Sequence, residues 1–254
     1  KAQKITAILI LVAVIMSTIM TTVIGQSIGI LQSMRIQQAA GLNGNRYATF
    51  HQLGKEQAQK LHEDDRLYDV GDTIFIGSTP LGNSSLSLYL REYHDNALSM
   101  CPAIGNVKEG RLPEEAIEIA LSEDALQYLG LDAVIGDTVS LDLSVSVMDG
   151  SLSELEYSAD FVLTGILESS YIGYASGTVE GIVGEGTAEE LLPEEYLLYS
   201  TDFKTYDKQN FQSIIYALAE DLNVDERYIQ YNWVLLDAIG ISYDEAADSD
   251  TGTG

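Results

Sequence analysis

The segment KEGRLPEEAIEIALSEDALQYLGLDAVIGD, residues 108–137, decides how the rest of the chain is interpreted. It places eight carboxylates in 30 positions around a Gly-Arg-Leu-Pro turn. Acids at this density suit three interpretations: a catalytic carboxylate pair, a cation site, or the solvated surface of a domain that does no chemistry. The sequence on either side of the segment distinguishes between them.

Within this segment the sequence predicts a β-strand followed by a short helix. Residues 116–122, AIEIALS, have the length and alternation of a strand. The alternation directs the large apolar side chains to one face, and Glu118 and Ala120 to the other. Ser122 and Gly130 are residue types that cap the two ends of a helix. We therefore expect the apolar side chains to form core and the acids to lie mostly in solvent.

The net charge of −26 is distributed unevenly along the 254 residues. Residues 1–112 contain 10 Lys and Arg against 9 Asp and Glu, whereas residues 113–254 contain 3 against 30. A field this negative repels the phosphates of nucleic acids and of anionic lipids, so we exclude nucleic-acid binding by the second half. The acidic half is interpreted as a solvated extracellular surface, and attraction of cationic ligands such as basic peptides is the alternative.

No residue pattern indicates a catalytic, metal or cofactor site. Cys101 is the only cysteine, which excludes an intrachain disulfide and an all-cysteine zinc site, and we expect a buried or half-buried thiol. The acids of residues 61–65 lack the two-histidine spacing of a zinc site. The Gly-rich residues 173–186 lack the ending of a P-loop and the spacing of a Rossmann turn. The three histidines are scattered along the chain: His51, His62 and His94.

The first 34 residues predict a membrane-spanning helix and a stalk. Residues 5–34 carry no charge, and as a helix they would be about 45 Å long, against about 30 Å for the hydrocarbon core of a bilayer. Residues 5–24 suit one span, and the mixed residues after them suit an amphipathic stalk that the glycines of residues 41–44 would end. The predicted membrane-spanning side chains include Ile5, Leu11, Val14, Ile19 and Ile24.

The charges before this span predict its orientation. Lys1 and Lys4 place the N-terminus in the cytoplasm, so residues after about 34 would be extracellular, at the cell membrane. A secretory signal peptide cleaved near residues 23–25 is the competing interpretation. We favour a retained span, because the apolar run is long for a signal peptide and continues past that point. The first residue is Lys, not Met, which suggests a fragment of a longer polypeptide.

After the stalk, residues 35–243 are predicted to form a mixed α+β extracellular domain, and residues 244–254 a flexible acidic tail. A break into two subdomains near residues 150–190 is an alternative. Residues 53–71 suggest a short amphipathic helix, and an Asp-Gly pair suggests the turn of a long hairpin. Residues 169–186 are interpreted as a loop between strands. This loop contains Tyr171 and Tyr174. Their rings are candidates for contact with substrate, and packing on a strand is the alternative.

The order of these motifs resembles the extracytoplasmic domain of FtsX/MacB-like permeases of ABC transporters, in the Gram-positive form. That family has a Gly-Arg-x-Pro turn before a strand containing Glu-Ile, a helix ending in Leu-Gly, a Gly-Asp turn, and an apolar strand ending in Gly-Ile. The matching residues here are Gly110, Arg111, Pro113, Glu118, Ile119, Leu129, Gly130, Gly136, Asp137, Gly165 and Ile166. The resemblance extends from Lys4 to about Ile241, although the turn has Glu-Glu-Ala where many members place Asn before the Glu.

The resemblance implies a MacB-like periplasmic core domain between the first and second membrane helices of a permease. Such a subunit is not an enzyme and has no cofactor, since a separate ATPase subunit supplies the energy. The other implied partners are the lipid bilayer, the rest of the permease or a second copy of it, and a peptide, lipid or lipoprotein substrate. The work of the family is export or extraction of such molecules, or transmission of force to cell-wall hydrolases.

Two other classes of function fit parts of the sequence. A single-span surface sensor or adhesion protein would bind cationic ligands through the acidic half. A secreted hydrolase would use a carboxylate pair, for which the candidates are Glu114, Glu115 and Glu118.

Overall fold

A long N-terminal helix leads into a ten-stranded sheet flanked by short helices. The computed structural model describes residues 2–82, 84–149, 151–169 and 177–241. The predicted mixed α+β fold with an apolar N-terminal helix is confirmed. The acidic tail and the aromatic candidates Tyr171 and Tyr174 lie outside the described residues.

The helices and strands alternate irregularly along the chain. The helices are α1 Ala2–Asn43, α2 Lys55–His62, α3 Glu123–Leu129, α4 Thr187–Leu191, α5 Phe211–Leu222 and α6 Trp233–Ile239, with 3₁₀ turns at Glu194–Tyr196 and Glu226–Tyr228. The strands are β1 Ala48–Leu53, β2 Leu67–Pro80, β3 Ser87–Tyr93, β4 Val107–Gly110, β5 Glu118–Ser122, β6 Thr138–Asp149, β7 Ser151–Leu167, β8 Thr178–Val183, β9 Tyr199–Thr205 and β10 Ile229–Tyr231.

Helix α1 is continuous for 42 residues, about 63 Å, which is twice the thickness of a hydrocarbon core. By length and composition, Ile10–Asn43 is apolar enough to cross a membrane, and an 18-residue stretch of it has a mean hydropathy of 1.8. The helix passes through Gly41 and ends before Gly44, whose φ of +85° breaks the helical path. Its last turns reach the domain, where Ala39 is buried, and the helix ends within residues 41–44, where the glycines were predicted to end the stalk.

The sheet consists of two parts that share the 14-residue strand β2. In one part β10, β1, β9 and the first half of β2 pair antiparallel. In the other, the second half of β2 begins a ring in the order β2-β3-β8-β5-β7-β6, in which the β3–β8 and β5–β7 pairs are parallel. The ring closes where Ser78 of β2 pairs with Ser144 of β6. A small barrel is thus continuous with an open sheet.

Each part of the sheet has an apolar core. Helices α2 and α5 pack with the open sheet, where the rings of Phe50 and Phe203 are 5.2 Å apart and nearly perpendicular. Inside the barrel, Leu88 and Leu90 of β3 are fully buried. The opposite face of the open sheet and of its neighbours β3 and β8 is polar, and this face forms the cavity described below.

Strand β8 corrects, for residues 178–183, the interpretation of residues 169–186 as a loop. Thr178–Val183 pairs with β3 on one side and β5 on the other, and most of its side chains are buried. Gly181 is required there, because a Cβ atom would lie 2.6 Å from a methyl group of Leu90 and 2.7 Å from one of Leu121. The glycines that suggested a loop therefore allow a central strand to pack closely.

Two further predictions differ from the structure. Ala120 is fully buried instead of solvent-facing, because β5 lies between β7 and β8 and has core on both faces. The helix predicted over residues 53–71 ends at His62, and β2 begins at Leu67. By contrast, helix α3 has the predicted caps: Ser122 Oγ accepts a hydrogen bond from Ala125 N, and Gly130 has a φ of +71°.

Candidate functional site

The Gly-Arg-x-Pro turn packs directly against strand β7. Gly110 has a φ of +79° and is the register partner of Gly165. A Cβ atom on Gly110 would lie 2.3 Å from Thr164 O, and one on Gly165 would lie 2.2 Å from Arg111 O. Arg111 N donates to Thr164 O over 3.0 Å. The two glycines therefore allow two backbones to approach more closely than side chains would permit.

Arg111 and Glu118 close this turn with a bidentate ion pair. The guanidinium donates to the two carboxylate oxygens over 2.8 and 2.5 Å, and Oε2 also accepts from the backbone N–H groups of Glu114 and Glu115. These contacts lower the pKa of Glu118 to about 2. Glu118 is only 13% exposed, which corrects its assignment to the solvated face. It is a structural carboxylate held ionised, and this environment does not suit the general acid that a hydrolase would need.

The other residues of the resemblance also occupy turns and core. Ile119 is fully buried, and Pro113 is half-buried in the turn. Gly136 N donates to Leu163 O over 2.8 Å, and Asp137 Oδ2 accepts from Val134 N over 2.9 Å. The structure thus gives these residues scaffold contacts.

Glu118→Gln is expected to destabilise the domain by about 1 to 2 kcal/mol at pH 7, a modest loss because Arg111 is half exposed and water screens the pair. The folded-state pKa of Glu118 is lowered from 4.5 to about 2, so its contribution to stability is present above pH 4.5 and is lost as the pH falls to about 2. Urea unfolding from pH 7 to pH 2 measures both effects. Glu189→Gln, which breaks an exposed pair with Lys55, is the matched control. Equal acid sensitivity in wild type and Glu118→Gln would contradict the assignment.

Two histidines that are distant in sequence lie in a cluster of carboxylates. His62 Nε2 is 2.9 Å from Asp72 Oδ2, and His94 Nε2 is 2.8 Å from Glu92 Oε1. Glu92 is 1% exposed and accepts hydrogen bonds from the N–H groups of Gly186 and Ala188. No pattern in the sequence predicted this cluster, which forms because β2 and β3 are adjacent in the sheet. In the described part of the chain, no group of three or more potential ligands could hold a metal.

Raising the pH above 6.5 is expected to destabilise the domain. The hydrogen bond with Asp72 raises the pKa of His62, and the contact with Glu92 raises the pKa of His94. Asp95 and Glu185 face the other ring nitrogens at 3.8 and 3.6 Å and act in the same direction.

A raised pKa means that the stabilisation by each protonated imidazole is complete below its unfolded-state pKa, near 6.5, and is lost as the pH rises through the folded-state pKa. Thermal unfolding between pH 6 and pH 9 measures this loss. The double variant His62→Gln/His94→Gln should have a smaller pH dependence in that range. An unchanged slope would disprove the role of the two histidines.

A cavity with a volume of about 560 Å³ lies on the polar face of the sheet. The end of α1 and residues 101–105 complete its walls. Its polar floor comes from five adjacent strands, β1, β9, β2, β3 and β8, through Thr49, Ser200, Asp202, Thr73, Arg91 and Glu180.

Two ion pairs lie on this floor. Arg46 Nε is 3.0 Å from Asp202 Oδ1, which also accepts a hydrogen bond from Thr49 Oγ1 over 2.5 Å. Arg91 Nε donates to Glu180 Oε2 over 2.9 Å. Burial raises the pKa of both carboxylates in spite of their arginine partners. The arginines therefore do not fully replace the water that these carboxylates lost on folding.

Cys101 and His51 also line the cavity. The thiol is half-buried, as predicted, and burial raises its pKa to about 11, which favours the protonated thiol over the thiolate at neutral pH. Burial lowers the pKa of His51, whose ring nitrogens contact Ser200 Oγ and Gln230 Oε1. His51 is therefore held neutral at physiological pH.

Comparison with known proteins gives matches in structure only. No protein-family model matches the chain, and no curated protein matches it in sequence. The structure is similar to the periplasmic region of MacB from Actinobacillus actinomycetemcomitans, with a TM-score of 0.47 and 14% identity over 80% of this chain and 96% of that one. It is also similar to the extracellular domain of the noncanonic ABC-type transporter YknZ from Gram-positive bacteria, with a TM-score of 0.48 and 12% identity over 74% of this chain and 99% of that one. Both structural neighbours are extracytoplasmic domains of the kind named by the sequence resemblance.

Proposed function

We propose that the chain is the first membrane helix and the extracellular domain of an FtsX/MacB-like ABC transporter permease. In this proposal the domain couples cytoplasmic ATP hydrolysis to export, extraction or signalling at the outer face of the membrane. The chain itself is not an enzyme, and a separate ATPase subunit hydrolyses the ATP. The observation that supports the proposal best is the contact of the Asn232 side chain with the end of α1. We call this contact the clamp, since it joins α1 to α6, the last helix of the described residues.

The clamp joins the stalk to the last part of the domain. The Asn232 side-chain amide donates to the backbone oxygens of Asn43, Gly44 and Arg46 over 3.3, 2.8 and 3.0 Å. Its Oδ1 accepts from Leu235 N in the first turn of α6, and α6 packs against α1. A displacement of α1 would therefore be transmitted to β1 and α6 together, as a coupling domain requires.

The same geometry supports a topology. With the N-terminus in the cytoplasm, the span within α1 would place the domain outside the cell. Because α6 lies beside the stalk, polypeptide that follows it would start next to α1, in a position to return to the membrane as a second span. The partners in this proposal are the bilayer, the cognate ATPase, the remainder of the permease or a second copy, and a peptide, lipid or lipoprotein substrate.

Purification of the tagged parent protein from its native membranes tests this assignment. We expect an ATPase subunit with a P-loop to co-purify and the complex to hydrolyse ATP after reconstitution in nanodiscs. Membranes that lack the tagged protein provide the control for ATPases that bind the resin. A parent protein that purifies alone, with a single span, would contradict the proposal and favour a surface sensor.

Val14→Arg is expected to impair membrane insertion, because residue 14 lies at the middle of the predicted span 5–24, where an arginine costs about 2.5–3.5 kcal/mol on insertion scales. The measurement is the fraction of chain that resists extraction from membranes at alkaline pH. Met34→Arg, on the exposed stalk beyond the span, is the matched control and should leave insertion unchanged. Equal retention of both variants would disprove the predicted span.

A further inference from the structure

The cavity of about 560 Å³ has a volume in the range of small-molecule binding sites and combines a charged floor with an apolar wall. The wall contains Ile104 from the segment after Cys101 and Leu167 at the end of β7. The charged groups of the lining are two arginines and three carboxylates: Arg46, Arg91, Glu168, Glu180 and Asp202. Carboxylates therefore outnumber arginines in the lining. An inference from this cavity does not depend on the proposed transport function.

The two arginines are already engaged by protein groups. Arg46 Nε contacts Thr49 Oγ1 at 2.7 Å in addition to Asp202, and its Nη1 donates to Asn43 O. The guanidinium of Arg91 lies 5.7 Å from the ring centroid of Phe75, a cation–π contact, in addition to its bond with Glu180. An anionic ligand would have to compete with these contacts.

The carboxylates retain acceptor capacity toward the cavity. Among the described residues, Glu180 accepts a hydrogen bond through Oε2 only, and Asp202 through Oδ1 only. Both residues line the cavity, and their side chains are 20% and 9% exposed, so a ligand in the cavity can contact them. Burial raises the pKa of both groups in spite of their arginine partners, so a further positive charge beside them would favour their ionised form. A protonated amine would supply this positive charge and N–H donors.

We propose that this cavity is a binding site for a small organic ammonium, whose charged nitrogen contacts Glu180 and Asp202 and whose apolar part lies along Ile104 and Leu167. An amine with a short alkyl or cyclic group fits both surfaces. Amino groups of peptides and basic side chains belong to the same chemical class.

Two probes of similar shape and opposite charge test the proposal. The full chain in phosphatidylcholine nanodiscs is titrated with cyclohexylammonium and with cyclohexanecarboxylate, and binding is followed by saturation-transfer NMR, with empty nanodiscs as the blank. We expect cyclohexylammonium to bind at least tenfold more tightly. Equal affinities, or no binding of the ammonium, would overturn the proposal.

Variants locate the site. Glu180→Gln and Asp202→Asn should each weaken cyclohexylammonium binding at least fivefold, whereas Glu156→Gln, on an exposed part of β7, should leave it unchanged. Because the first two variants also break ion pairs, Ala103→Trp provides a second test, since it fills the cavity and keeps every charge. Undiminished binding in a folded Ala103→Trp variant would place the ammonium elsewhere and disprove the site.

Discussion

Replacing Gly165 by alanine is expected to destabilise the domain by about 3 kcal/mol, as overpacking at a rigid backbone contact does. The new methyl group would lie 2.2 Å from Arg111 O and 3.1 Å from Arg111 C, and neither atom belongs to a flexible side chain. Strand β7 cannot move away freely, because Arg111 N is hydrogen-bonded to Thr164 O and β7 pairs with β5 on its other side. Relief of the clash therefore breaks the β4–β7 contact or opens the Arg111–Glu118 turn.

Urea unfolding of Gly165→Ala against wild type measures this loss. Gly54→Ala is the matched control, since the nearest atom to its new Cβ is a side-chain oxygen of Gln57 at 3.6 Å and its φ is an ordinary −74°. That variant should lose at most about 1 kcal/mol, which is the difference between glycine and alanine at a helix N-cap. If Gly165→Ala and Gly54→Ala unfold at the same urea concentration, the backbones of the turn and of β7 are not packed as closely as the structure indicates.

The sequence predicted the turn but not its ion pair. Gly110 and Pro113 are local signals, and the structure places both in the turn as expected. The strand alternation assigned Glu118 to solvent, because alternation says nothing of an arginine seven residues earlier that folds back over the turn. The contact between Arg111 and Glu118 depends on the left-handed conformation of Gly110, which residue types alone do not reveal.

The cavity and the histidine cluster could not be predicted from the sequence for a related reason. Thr49 and Asp202 form one hydrogen bond although 153 positions separate them, and Arg91 and Glu180 are 89 positions apart. Both contacts depend on strand order: β1 pairs with β9, and β3 with β8, across long connections. Local sequence patterns identify individual strands. They do not show which distant strands pair, and that information comes only from the topology of the sheet. The predicted lack of a catalytic site stays a prediction.

Replacing Asn232 by aspartate is expected to weaken the clamp between α1 and α6 by about 3 kcal/mol, with little change in side-chain volume. The amide nitrogen donates to the backbone oxygens of Asn43, Gly44 and Arg46, and a carboxylate in its place would offer three oxygens another acceptor. Asn232 is buried, so water cannot replace the lost donors. We expect the variant to respond to this repulsion by detachment of α6 from the end of the stalk.

Hydrogen exchange of the amides of Trp233–Ile239, together with urea unfolding, measures this detachment. Asn106→Asp is the matched control, because that exposed amide makes one long bond, 3.4 Å, to Pro102 O. The defect of Asn232→Asp should shrink at low pH, where the protonated carboxyl regains one donor. If exchange in α6 stays slow at neutral pH, the side chain of Asn232 does not hold the helix to the stalk. Fast exchange in a domain whose β-strands remain protected would instead show that packing alone does not hold α6 to the stalk and that this amide is required for the attachment.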